Sequence, residues 1–223
     1  MMLATKLFTA VEGRANVQSV ARLACQLLDS SASPDESLRW QRHPLGFFGL
    51  VWGVGERSVL RIHYWNRCFC WEQHGLGVHD HTFGFTAAVV HGCVVNELFA
   101  LADHGGSHVV FSTEYFDGGS RLAPAEGRFG LVSLSTTAYE AGAYYTMEAG
   151  VLHRTRLQSD AAITVLATRY LSSTRDGARV IGSSGTATAD FHREALGDQS
   201  VEELMAQLRR KLEAAASGGI DAS

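Results

Sequence analysis

Two histidines, His79 and His81, stand one residue apart in the apolar stretch GLGVHDHTFGFTAAVVHG, residues 75–92. In an extended chain, residues i and i+2 project to the same face. The same parity continues through Phe83, Phe85, Ala87 and Val89, which are residues of a core face. Two imidazoles buried together cost free energy unless something satisfies them. A divalent metal satisfies both, since imidazole is the commonest protein ligand for one. A third ligand has to arrive from elsewhere in the chain. The stretch GAYYTMEAGVLHRTRL, residues 142–157, supplies it: a turn at Glu148-Ala149-Gly150 delivers His153 to the start of a following strand. The expected metal site is therefore His79, His81 and His153. His91 shares their parity but lies ten residues beyond His81. That is roughly 30 Å along a strand, so it is expected to be structural. His74 is a candidate for the entrance.

Strands must position these ligands. From about 45 to 182 the chain reads as short runs rich in Val, Thr, Phe and Tyr, separated by Gly, Asp and Asn, with no helical period between them. The runs include FFGLVWGV, SVLRIHYW, GVHDHTFGFTAAVVHG as one strand, VVNELFAL, HVVFSTEYF, GRFGLVSLSTTAYE, GAYYTME, LHRTRLQ and AITVLATRYLS. This pattern argues for an all-β fold, an antiparallel barrel or double-sheet jelly roll. The segment 1–40 is helical over its first 30 residues, with Val17, Val20, Leu23, Ala24, Leu27 and Leu28 at helical spacing, and SASPDES breaks the pattern. A helix over about 200–216 is N-capped by Ser200, with Glu203 completing a capping box and Gly218 and Gly219 ending it. One domain spanning residues 1–223 accounts for all of this.

Composition narrows the function classes. The net charge is −4 with the signs mixed. No basic patch points to nucleic acid. No run reaches the roughly 18 apolar residues of a membrane helix, and the N-terminus does not read as a signal peptide. A cytoplasmic protein is expected. Cys25, Cys68, Cys70 and Cys93 form no CxxC pair and read as reduced, packed thiols, with Cys68 and Cys70 on one face of a strand. In LRIHYW, parity puts Arg61, His63 and Trp65 on one face. An interior Arg61 could hold a substrate carboxylate through its two-pronged guanidinium, in competition with Arg39, Arg42 and Arg57. Tyr144, Tyr145 and Tyr170 are candidates for a phenol near the metal. Arg61 and Tyr145 are assigned as the catalytic pair beside it. Arg154 and Arg156 alternate away from His153 and read as outward charges.

The spacing resembles the cupins. Their first motif runs Gly, five residues, His-x-His, three or four residues, Glu, six residues, Gly. His79, His81, Phe85 and Gly92 fall on it, with Phe85 in place of the glutamate and Gly75 or Gly77 as the leading glycine. The second motif is matched by Gly142, Gly150 and His153, while Glu148 stands for its proline and Leu157 for its asparagine. The two motifs lie about 50 residues apart, which is long for a cupin, and the stretch 100–128 would hold an extended hairpin. Loss of the glutamate resembles the three-histidine thiol dioxygenases of the cysteine dioxygenase type, as do VHDHT and NELF. That resemblance implies Fe(II) on three neutral histidines, with a small-molecule substrate and O2 at the open positions and no external reductant. It does not extend to a Cys–Tyr cross-link, because Phe85 or Thr86 stands where the cysteine would be and Cys93 lies beyond the glycine. The resemblance also leaves a homodimer open. Two other readings stay open: a Zn or Ni site used as a Lewis acid for isomerase or lyase chemistry, and a non-catalytic small-molecule-binding barrel.

Overall fold

A computed structural model describes residues 2–30, 40–69, 75–102, 106–116, 119–125, 127–170, 177–185, 189–192 and 198–218. Two helices, α1 (Met2–Glu12) and α2 (Val17–Ser30), precede the strands and α3 (Asp198–Ser217) follows them. Between them run β1 (Gln41–His43), β2 (Phe47–Gly55), β3 (Ser58–Asn66), β4 (Val78–His79), β5 (Phe83–His91), β6 (Cys93–Ala102), β7 (His108–Phe116), β8 (Gly119–Pro124), β9 (Gly130–Glu140), β10 (Tyr144–Met147), β11 (His153–Leu157), β12 (Ala161–Tyr170), β13 (Arg179–Ser183) and β14 (Ala189–His192).

They form two antiparallel sheets. Sheet 1 has the order β1-β2-β3-β12-β5-β10, and sheet 2 the order β14-β8-β7-β13-β4-β11-β6-β9. The chain alternates between the sheets from β4 to β6 and again from β9 to β13, as in a double-sheet jelly roll. Alternation along each strand decides what is buried where. On β3, Leu60, Ile62 and Tyr64 pack with α1, α2 and α3 in one core. Arg61, His63 and Trp65 point the other way, into the space between the sheets. On β5 the parity read from the sequence holds: Phe85, Ala87 and Val89 join the inter-sheet core, and Ala88 and Val90 face the helices. The molecule is thus three layers, with helices over sheet 1 and sheet 1 over sheet 2.

Several expectations need correction. The His-x-His stretch is not one strand. β4 ends at His79 in sheet 2 and β5 begins at Phe83 in sheet 1, so the chain crosses between sheets at residues 80–82. The barrel also extends past 45–182, with β1 before it and β14 after it. α3 begins at Asp198, so Ser200 lies inside its first turn rather than capping it, while Gly218 does end it with φ of 77°. Cys68 sits in a 3-10 turn, Arg67–Phe69, not on a strand. Cys70, His74, Arg39, Gly219 and the SASPDES break lie outside the described residues. The expected hairpin within 100–128 is β7–β8.

Candidate metal centre

His79 is the last residue of β4, and its backbone partner on the neighbouring strand is His153, the first residue of β11. Cross-strand partners on one face bring side chains together. The two rings lie 4.5 Å apart between centroids. His81, from the crossing segment, completes the group at 4.8 Å from His79 and 5.1 Å from His153. One nitrogen of each of the three rings lies within 4.8 Å of the others.

Backbone carbonyls set the tautomers. Nδ1 of His79 is 3.0 Å from the Gly77 carbonyl, and Nδ1 of His153 is 3.0 Å from that of Val151. A carbonyl only accepts, so both Nδ1 atoms carry the proton and both Nε2 atoms keep a lone pair. This is how ligating histidines are oriented by their surroundings. Burial, with repulsion from His153, holds His79 down to about 3. Burial likewise depresses His81 and His153. All three are therefore neutral at pH 7, the form that binds metals.

The crossing segment is clamped by Asp80, which is 0% exposed. Its carboxylate accepts from the Arg179 backbone N–H at 2.7 Å and from Arg179 Nε at 2.6 Å. Its own N–H donates to the Arg179 carbonyl at 2.9 Å. Arg179 also donates to the Gly150 carbonyl at 3.0 Å, and Gly150 N–H donates to the His81 carbonyl at 2.9 Å. One ion pair thus ties both histidine-bearing segments to β13. The sequence reading missed it, and no spacing could have shown it, because Asp80 and Arg179 are 99 residues apart.

The histidines line a cavity of about 570 Å³, within the roughly 300–1,000 Å³ range of small-molecule sites. Arg61 and Tyr145 both reach it. Arg61 donates to the Tyr170 hydroxyl at 2.9 Å and lies 5.3 Å over the Phe83 ring, which stacks on His81 at 4.6 Å. Tyr145 is buried against Phe85 and Tyr139. Burial pushes its phenol up, so it stays protonated. Phe85 sits 5.7 Å from His81 and 6.4 Å from His153. His43 and His63, which the sequence reading gave no role, sandwich Phe47 on the opposite wall at 4.3 and 4.1 Å. Burial and the Arg61 charge lower His63 to about 3. Among the described residues lining this cavity none is acidic and one, Arg61, carries a permanent positive charge.

Other residues stand apart. His91 lies near Lys211, with Nζ to Nε2 at 3.2 Å, at the far end of β5. Arg154 and Arg156 both pair with Glu97. Arg57 is exposed. A cleft of about 680 Å³ between the end of β3 and α3, lined by Arg67, Arg210 and Lys211, includes none of the three clustered histidines.

No protein-family model matches the chain, and no curated protein sequence matches it. Solved structures resemble it at low scores. Oxalate decarboxylase from Bacillus subtilis is 12% identical over 63% of this chain, with a TM-score of 0.36, and the match spans 29% of that protein's length. Hydroquinone 1,2-dioxygenase from Sphingomonas sp. TTNP3, with 4-hydroxybenzoate bound, is 13% identical over 52% of this chain and 62% of its own, at 0.32. An RmlC-like cupin from Shewanella frigidimarina is 12% identical over 63% and 91%, at 0.33. Likeness at this level transfers no activity, and the site stands on its own geometry. No helix of the described residues is long and apolar enough to cross a membrane.

Proposed function

We propose that the chain is a mononuclear non-haem iron oxygenase, with Fe(II) on His79, His81 and His153, acting on a small acidic substrate that binds the metal directly. One observation carries this reading: three neutral imidazoles, those of His79 and His153 buried and pre-oriented by backbone carbonyls and that of His81 half-buried, converge beside Phe85, which cannot ligate. Bound there, Fe(II) supplies a Lewis acid with open positions for substrate and O2.

The remaining work falls to the chain. The Gly77 and Val151 carbonyls hold the ligand rings in register. Arg61, fixed by Tyr170 and Phe83, receives the substrate's acidic group with a charge-assisted fork. Tyr145 offers a hydrogen bond from a protonated phenol and does not act as a base at neutral pH. Phe47, Trp65, Phe83 and Phe85 exclude water from the reacting face.

The test is O2 uptake by Fe(II)-loaded protein against a panel of short acids, thiol acids first, beside Zn(II)-loaded protein. The proposal expects O2 consumption coupled to substrate loss with iron alone. Turnover that proceeds equally without O2 would overturn it in favour of Lewis-acid chemistry.

A further inference from the structure

A second cavity, of about 120 Å³, reaches His79 and His81, and Arg61 is not among its lining residues. It lies on residues of β13, β7, β8 and β14 of sheet 2, with His43 of β1, Pro44, Leu45 and Leu76 also in its lining. The floor is apolar, with Leu122, Val180 and Phe191. The acid in its wall, Asp80, is committed to Arg179. Thr113 also lines it. That residue is 6% exposed, and its hydroxyl has no hydrogen-bond partner among the described residues. Both cavities share His43, Leu45, Tyr115, His79 and His81. The histidine cluster thus borders two lobes of unlike chemistry, one cationic and aromatic, the other narrow and mainly apolar, with Thr113 and Ser120 among its lining.

We propose that the two lobes bind opposite ends of one molecule, so that the substrate is a short-chain acid: its acidic group on Arg61, its reacting centre at the histidines and an apolar tail in the second lobe. This rests on the oxygenase reading for the middle of the molecule only. The narrow lobe sets the tail's size. A dry cavity of ~150 Å³ lined by Leu, Ile and Phe takes up a benzene ring. The smaller lobe here therefore takes a chain of about five carbons and excludes a fused ring system. Among the described residues that line the main cavity Arg61 carries a permanent charge and none is acidic, which favours an acidic head group.

Straight-chain carboxylates from propionate to decanoate are the probes, titrated by calorimetry into wild-type protein with and without Zn(II), which carries no redox chemistry. Affinity is expected to rise about threefold to fourfold for each methylene and then to level off once the lobe is full. Arg61→Met should weaken every member by the same factor and leave that slope intact. Ala178→Leu, just before β13, and Leu122→Phe, on β8, narrow the lobe from two places, and each should flatten the slope in protein whose circular dichroism spectrum is unchanged. Affinity independent of chain length in the wild type, or a full slope in both narrowed variants, would overturn the proposal. A normal slope in a protein that takes up no metal would sink the iron reading and leave the two-lobe site standing.

Discussion

Between the two histidines of the first motif stands Asp80, and its burial matters as much as theirs. A carboxylate with no exposure accepts two hydrogen bonds from Arg179 here, one from its backbone N–H and one from its guanidinium. Removing one partner of a buried ion pair costs about 3–5 kcal/mol. Asp80→Ala should therefore lower unfolding stability by about 3 kcal/mol in urea titrations, and weaken metal binding by about 10-fold to 100-fold. Unchanged affinity in the folded variant would refute the positioning role. The histidines themselves set a pH dependence. His79 and His63 are held to about 3 in the fold, against ~6.5 when unfolded. Below pH 6.5 the unfolded chain binds protons that the folded, metal-free chain refuses, so stability is lost as pH falls from about 6.5 toward 3. Thermal melts of chelated protein between pH 7.5 and 4.5 check this, and a flat profile would contradict it. At this scale the sequence showed which residues cluster, because i and i+2 parity and the turn before His153 are local properties. It could not show Asp80 with Arg179, or His43 and His63 around Phe47, because those contacts depend on how distant strands pair.

The elements deliver the ligands through tight turns. Gly92 joins β5 to β6 with φ of 72°, and a Cβ there would sit 2.0 Å from the Ala161 carbonyl oxygen. At Gly150, with φ of 82°, an added Cβ would meet nothing within 4 Å, so only the backbone conformation resists substitution. Gly150→Ala should cost ~1–2 kcal/mol. Gly92→Ala should cost more, since sterics add to strain. Equal losses in paired denaturation curves would contradict the contact. Strands with clear alternation, such as β3 and β6, were readable from the sequence. β1, β13 and β14 were not. Three to five residues carry too little periodicity to rise above a loop, and these strands exist because longer neighbours pair with them. The break between β4 and β5 was hidden for a related reason: parity survives the crossing from one sheet to the other, so the residues look continuous.

At the scale of the whole molecule, three helices close one face of sheet 1 and leave the space between the sheets to the site. Leu208 of α3 is 0% exposed in the same core as Leu60 and Ile62. Leu208→Ala should cost ~2–5 kcal/mol while leaving the metal content of the folded protein unchanged, since the helices touch the far face of sheet 1. Loss of metal from folded Leu208→Ala protein would contradict that separation of layers. The alternation of helix-period ends and strand-period middle made the overall architecture legible. The second lobe was not, because residues from β1, β7, β8, β13 and β14 line it together. The most direct test of the account is the metal content of untagged protein purified without chelator, measured by elemental mass spectrometry beside a His79→Ala/His81→Ala variant. The account predicts near-stoichiometric iron that the variant loses. No metal in either protein, even after anaerobic addition of Fe(II), would contradict it.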